Sequence, residues 1–260
     1  MKPMKIIAVD IGNSAIKVSV DGAGGQVLSL QLPRFIAFCD RLPKTRFHWR
    51  IASVNHEATH SLERLIETQR AGDTFGLLQV DQLPVLVGVD NPNRVGIDRL
   101  AAAAAAAHLV NSRPSIVIDA GTAITIDLIQ PPNTFCGGAI LPGMKLQLTA
   151  LGAGTEGLPT VSVNVAQPPE LIGRNTTAAI QSGVFWGAVG SIREIVARMQ
   201  DAHSVERVFL TGGAGSALQS HLGIATQMEP DLVLQGIRLA RSEADGQEQE
   251  GRNEQGQEDG

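Results

Sequence analysis

Two stretches of this 260-residue chain combine the residue types that handle phosphate groups. In the first, Ile116, Val117 and Ile118 run into Asp119-Ala120-Gly121-Thr122, after which Ile124, Ile126 and Leu128 alternate with Thr125 and Asp127. The spacing predicts a strand, a tight turn and a returning strand. A carboxylate, a glycine and a hydroxyl at such a bend collect oxygen ligands at one point. Glycine also admits close approach, and successive open N–H groups form an anion-binding concavity. The second stretch repeats the design: Ile6–Val9 lead into Asp10-Ile11-Gly12-Asn13-Ser14, and Ile16, Val18 and Val20 then alternate with polar residues. Asp10 suits a metal ion held directly or through water. Gly12, Asn13 and Ser14 offer amides and a hydroxyl to a triphosphate, and Lys17 adds a point charge. One Asp-x-Gly is an ordinary turn. Two, each inside a strand–turn–strand, point to a duplicated fold with a cleft between the halves.

Other residues extend this chemistry. Phosphoryl transfer to an alcohol needs alignment, charge neutralisation and one carboxylate to orient or deprotonate the hydroxyl. Asp98, in Gly96-Ile97-Asp98-Arg99, is the candidate, although an Asp at a helix start commonly serves as an N-cap. Arg99 beside it suits an anionic end of a substrate. Thr211-Gly-Gly-Ala-Gly215 after an apolar strand suits a nucleoside lying against backbone. No Gly-x-x-x-x-Gly-Lys-Ser/Thr occurs, so this is not a P-loop. His56-Glu57-Ala58-Thr59-His60 matches the zinc-protease pattern, but no third histidine follows at a ligand spacing. We read that pair as surface residues.

Several elements must position these groups. Leu100 and the alanines Ala101 to Ala107 predict a closely packed helix that stops near Asn111 and leads into the central strand, bridging the halves. Gln26–Leu32, Arg50–Asn55, Gly76–Val80 and Leu83–Val89 are further strand candidates, Ser61–Thr68 has helical spacing, and residues 35–48 are ambiguous. Phe135–Gly143 reads as a glycine-rich loop, followed by a helix from Met144 to Leu151. Asn175–Ala188 reads as a helix with a small-residue face that continues after Gly190 into Ile192–Met199, Arg207–Leu210 as a core strand and Pro230–Arg241 as a closing helix.

The net charge of −5 is concentrated at one end. Residues 242–260 hold seven acidic side chains and Arg252, a net of −6, which leaves the body at +1. A nearly neutral body does not select polyanions, so no nucleic-acid partner is expected. The Gln/Glu/Gly-rich tail has no apolar face and reads as disordered. No apolar run approaches the roughly 18 residues of a membrane span. Cys39 and Cys136 alone make no disulfide framework, and a cytoplasmic protein is expected.

Phosphate turn, second phosphate turn and nucleoside turn, in that order, resemble the actin/sugar-kinase/Hsp70-like ATPases. The expected fold is therefore α/β, a duplicated actin-like (ribonuclease H-like) ATPase. Its halves, 1–107 and 108–241, would have mixed sheets flanked by helices and an active-site cleft between them. More specifically, Asp10-x-Gly-Asn-Ser14, Gly96-x-Asp-Arg99, Asp119-x-Gly-Thr-Ala-x-Thr125 and Gly137-Gly-x-Ile-x-Pro-Gly143 resemble the type III pantothenate kinases over roughly residues 4–240. The resemblance implies ATP-dependent phosphorylation of pantothenate, the first step toward coenzyme A. It implies ATP at Asp10, Ile11, Gly12, Asn13, Ser14, Ala15, Ile16, Lys17 and Thr122. Pantothenate would meet Gly96, Ile97, Asp98, Arg99 and Thr176, with Asp98 as proton acceptor. It further implies Mg²⁺ with ATP, a monovalent cation (K⁺ or NH₄⁺) at Asp119, and a homodimer using the small-residue helices of the second half. Many members carry an aromatic residue seven positions before the first glycine of Gly-x-Asp-Arg; here it is Val89. Val89 motivates one alternative, a kinase of this fold for another small hydroxy acid. A nucleotide-binding regulator without turnover is the other, and the presence of every catalytic motif residue argues against it.

Overall fold

The computed structural model describes residues 4–162 and 167–241; the acidic tail expected to be disordered lies outside the described residues. The described residues divide into two compact units, one drawn from residues 4–85, 93–105 and 233–241, the other from 86–92, 106–162 and 167–232.

The first unit is built on a five-stranded sheet. Strands β1 (Lys5–Ile11), β2 (Ile16–Val20), β3 (Gln26–Leu28), β4 (Phe47–Ser53) and β5 (Thr74–Leu77) lie in the order β3-β2-β1-β4-β5. The expected first hairpin is present: β1 and β2 pair antiparallel with Asp10 opposite Lys17 and Ile11 opposite Ile16. Alternation then sorts the side chains between two faces. Ile7, Val9, Ile11 and Val18 join Trp49 and Ile51 in one apolar core, covered by helices α1 (Leu32–Arg41) and α2 (His56–Gln69) through Phe35, Phe38, Leu62 and Ile66. The stretch 35–48, ambiguous in sequence, thus splits between α1 and β4. Asn55 caps α2, its side-chain oxygen accepting the Ala58 amide at 3.1 Å. On the opposite face, Ser19 and Arg50 meet the last helix, α7 (Leu232–Leu239). Helix α3 (Ile97–Leu109) contributes its first nine residues to this unit. All seven alanines are buried, at 3% exposure or less, as so small a side chain allows.

The second unit carries a six-stranded sheet. Strands β6 (Leu86–Val87), β7 (Ser115–Ala120), β8 (Ala123–Gln130), β9 (Thr134–Pro142), β10 (Arg207–Thr211) and β11 (Gln227–Met228) lie in the order β11-β10-β7-β8-β9-β6. Here too the expected hairpin forms, with Asp119 opposite Thr125. Ile116, Ile118, Ala120, Ile124 and Ile126 face a core shared with α4 (Met144–Ala153), α5 (Thr176–Ala202) and α6 (Gly215–Leu222). One expectation is corrected. Phe135–Gly143 is not a loop but most of β9: a Cβ at Gly138 would overlap the Ile126 carbonyl and lie 2.7 Å from Asp127 Oδ1, so the glycine serves strand contact. Helix α5 continues past Gly190, as expected, and runs through 27 residues.

Candidate functional site

In the first unit, the turn after β1 is closed by the Gly12 amide donating to the Ala15 carbonyl at 3.0 Å, which leaves Asn13, Ser14 and Ala15 exposed at its tip. Two residues before the glycine, Asp10 is half-buried and stands directly across from Lys17 on the same sheet face. A carboxylate and an ammonium at the root of a turn with exposed polar groups can hold a cation and an anionic oxygen side by side. Ile11 and Ile16, expected beside the nucleotide, have their side chains in the core, so only their backbone reaches the turn.

Gly96, Ile97, Asp98 and Arg99 form the first turn of α3 and are all half-buried. The Leu100 amide donates to the Gly96 carbonyl at 3.3 Å, which makes Gly96 the residue that opens the helix. Asp98 is therefore not the N-cap that local sequence would suggest. It is the second residue of α3, two past Gly96, and its Oδ1 accepts the Arg99 amide at 2.9 Å. Backbone thus fixes one oxygen of the carboxylate. A carboxylate held in place at the start of a helix, with its second oxygen left over, is placed to meet a hydroxyl.

In the second unit, Asp119 lies beside Thr125 of β8 and Thr211 of β10 in the sheet register, so one carboxylate and two hydroxyls share a face. Gly121 closes the hairpin by donating to the Ala123 carbonyl at 2.9 Å, and Thr122 is exposed at its tip. Two distant motifs come to this turn. The Gly143 amide donates to the Thr122 carbonyl at 3.0 Å, which docks the end of β9 on it. The nucleoside-type turn docks as well: the Ala214 amide donates to the Ala120 carbonyl at 3.0 Å. There Gly212 has φ +88°, and a Cβ on it would overlap Asp119 Oδ1 and lie 2.6 Å from the Ala120 backbone. Sequence reasoning placed Thr211 only in a nucleoside turn; its position beside Asp119 follows from strand order and has no local signal.

Thr176 is the first residue of α5 and exposed, after Asn175, whose side chain caps the helix by accepting the Ala178 amide at 2.9 Å. Val89 packs against Gly137, whose added Cβ would lie 3.3 Å from Val89 Cγ1. His56 and His60 are exposed on α2, and His60 pairs with Glu63 at 3.2 Å. Neither cysteine belongs to these constellations. Burial pushes the Cys39 thiol up to about 11 and raises that of Cys136 above its ordinary value. Among the described residues no helix is long and apolar enough to cross a membrane.

Residues 6–198 match the family model of the type III pantothenate kinases. A type III pantothenate kinase from Legionella pneumophila (strain Corby) is 33% identical over 252 residues, spanning 90% of this chain and 97% of the relative. Another from Gluconobacter oxydans (strain 621H) is 40% identical over 152 residues, 58% of this chain and 55% of its own length. Among solved structures, MreB5 of Spiroplasma citri bound to ADP superposes with a TM-score of 0.50 at 8% identity, over 92% of this chain and 96% of that one. This likeness shows the fold alone, that of the actin-like ATPases anticipated from the order of the turns.

Proposed function

The chain belongs to the type III pantothenate kinase family, and we infer on that premise that it transfers the γ-phosphoryl group of ATP to pantothenate in coenzyme A biosynthesis. The acceptor is the primary hydroxyl, and the product is 4'-phosphopantothenate. Asp98 takes the hydroxyl proton as that oxygen bonds to the γ-phosphorus. The bond from phosphorus to the β–γ bridging oxygen breaks, and ADP leaves. Residues Asp10 to Lys17 and Thr122 hold the phosphates through amides, hydroxyls and the Lys17 charge, which offset the negative charge that develops. Gly96, Ile97, Arg99 and Thr176 hold pantothenate, with the Arg99 guanidinium suited to its carboxylate.

Two ions accompany this reading. Mg²⁺ entering with ATP neutralises phosphate charge, and the Asp10 carboxylate suits it in chemistry and exposure. A monovalent cation, K⁺ or NH₄⁺, suits the oxygen set of Asp119, Thr125 and Thr211. We also propose a homodimer through α5. Gly183, Gly187 and Gly190 lie on one exposed face of that helix, and an added Cβ at each meets nothing within 4 Å. Each such glycine costs a helix interior about 1 kcal/mol relative to alanine. No packing among the described residues accounts for that cost, whereas close approach of a second helix does.

The observation that carries the catalytic role is the Asp98 carboxylate fixed on the first turn of α3 by the Arg99 amide. Release of ADP with and without pantothenate, measured on the wild type and on Asp98→Asn, tests it. ADP release in the wild type should require pantothenate, and Asp98→Asn should bind ATP but lose turnover by about 10²-fold or more. Near-normal turnover of the variant rejects the role. Release driven equally well by other small hydroxy acids rejects the substrate.

A further inference from the structure

Arg50 has no part in the phosphate chemistry, yet it sits only 7% exposed in the middle of β4. Its Nη1 donates to the carbonyl oxygens of Ile237 at 3.1 Å, Arg238 at 3.2 Å and Ala240 at 2.6 Å. These carbonyls close α7, where a helix runs out of internal partners (Ile237 O also accepts the Ala240 amide at 3.4 Å) and where its dipole favours a cation. A second tie holds the same helix, since Arg238 Nη1 donates to Ser19 Oγ of β2 at 3.0 Å. With only eight residues, α7 has little helical stability of its own and depends on such anchoring.

The other side of α7 meets α3. A Cβ at Gly236 would lie 2.9 Å from the Ala101 Cα and would overlap the Ala101 carbonyl, so backbone rests on backbone. No flexible side chain at that contact can absorb a displacement of either helix. Ala101 follows Asp98 by three residues, close to one turn along the same helix. Sheet, α7 and the start of α3 therefore form one continuous line of contacts, all inside the first unit.

We propose that Arg50 is a positioning residue for the catalytic turn. By pinning the end of α7 to the sheet, it sets where Gly96–Arg99 stands relative to the Asp10–Lys17 end of that same sheet. The proposal rests on the reading of Asp98 as proton acceptor. Removing the guanidinium lets α7 shift, α3 follows, and the carboxylate loses its aim while the phosphate turn keeps its shape. The effect thus belongs in kcat rather than in the KM for ATP.

Full-length Arg50→Gln, Arg50→Lys, Arg238→Ala and Gly236→Ala test this through steady-state kinetics and amide hydrogen exchange. Arg50→Gln should lower kcat at least 10-fold with the KM for ATP within twofold. It should also speed exchange of the Arg99 and Leu100 amides at least 10-fold. Arg50→Lys should recover part of kcat, and Gly236→Ala should reproduce the Arg50→Gln pattern from the other side of α7. A folded Arg50→Gln with kcat within twofold of wild type, or with unchanged exchange in the first turn of α3, overturns the proposal. Should Arg50→Gln fail to fold, Gly236→Ala and Arg238→Ala decide: full kcat per folded molecule in both means a structural role only and overturns it. Asp98→Asn in the wild-type background keeps the two readings apart. Retained turnover there removes the catalytic reading alone, and the exchange data still judge the strut.

Discussion

Replacing Gly212 by alanine isolates a contact on which the second unit depends. The glycine has φ +88°, a region that costs an L-residue about 1–2 kcal/mol. Its new methyl would overlap Asp119 Oδ1 and lie 2.6 Å from the Ala120 backbone nitrogen and carbonyl carbon. Backbone cannot swing away as a long side chain can, and overpacking of this kind costs roughly 1–3 kcal/mol. Alanine also reduces the freedom of the unfolded chain, which returns about 0.4–1 kcal/mol where the native backbone suits it. The strain and overlap exceed that return, for a net loss of about 1–5 kcal/mol. Gly213 supplies the control: an added Cβ there meets nothing within 4 Å and its φ lies outside the left-handed range, so Gly213→Ala should be neutral or slightly stabilising. Urea unfolding of both variants, followed by the far-UV signal, measures the difference. Equal stability of the two, or a loss below about 1 kcal/mol for Gly212→Ala, would refute the reasoning from close contact.

Asp119→Asn should fold, because the amide keeps the shape of the carboxylate, and should lose stimulation by potassium; turnover measured across a potassium titration checks this, and an unchanged response refutes the cation assignment. Asn175→Ala removes the acceptor of the Ala178 amide at the start of α5 and should cost about 1 kcal/mol in urea unfolding. At pH 8 the Cys39 thiol, pushed up to about 11 by burial, is almost wholly protonated, so iodoacetamide should leave it unmodified in the native protein and react only on unfolding.

The two hairpins with Asp-x-Gly turns were legible because their signals are local. Period-two alternation around Asp10-x-Gly12 and Asp119-x-Gly121 specifies two strands and a bend within about fifteen residues, whatever the rest of the chain does. The run of alanines announced α3 in the same way, and the order of the motifs carried the family and the fold. Glycine misled where its local meaning is ambiguous. Gly137 and Gly138 look like a loop until β8 lies against them.

By itself, then, the sequence determined which residues form the two phosphate-type turns and the turn that presents Asp98. Tertiary structure alone decided their company. It set Thr211 beside Asp119 through strand order, separated Gly212 from Gly213 by what each one touches, and returned α7 to the first unit, where Arg50 reaches carbonyls 187 to 190 residues away. The physical reason is range: turn and helix preferences are written in neighbouring residues. A shared strand edge or a backbone-to-backbone contact exists only once distant segments have packed.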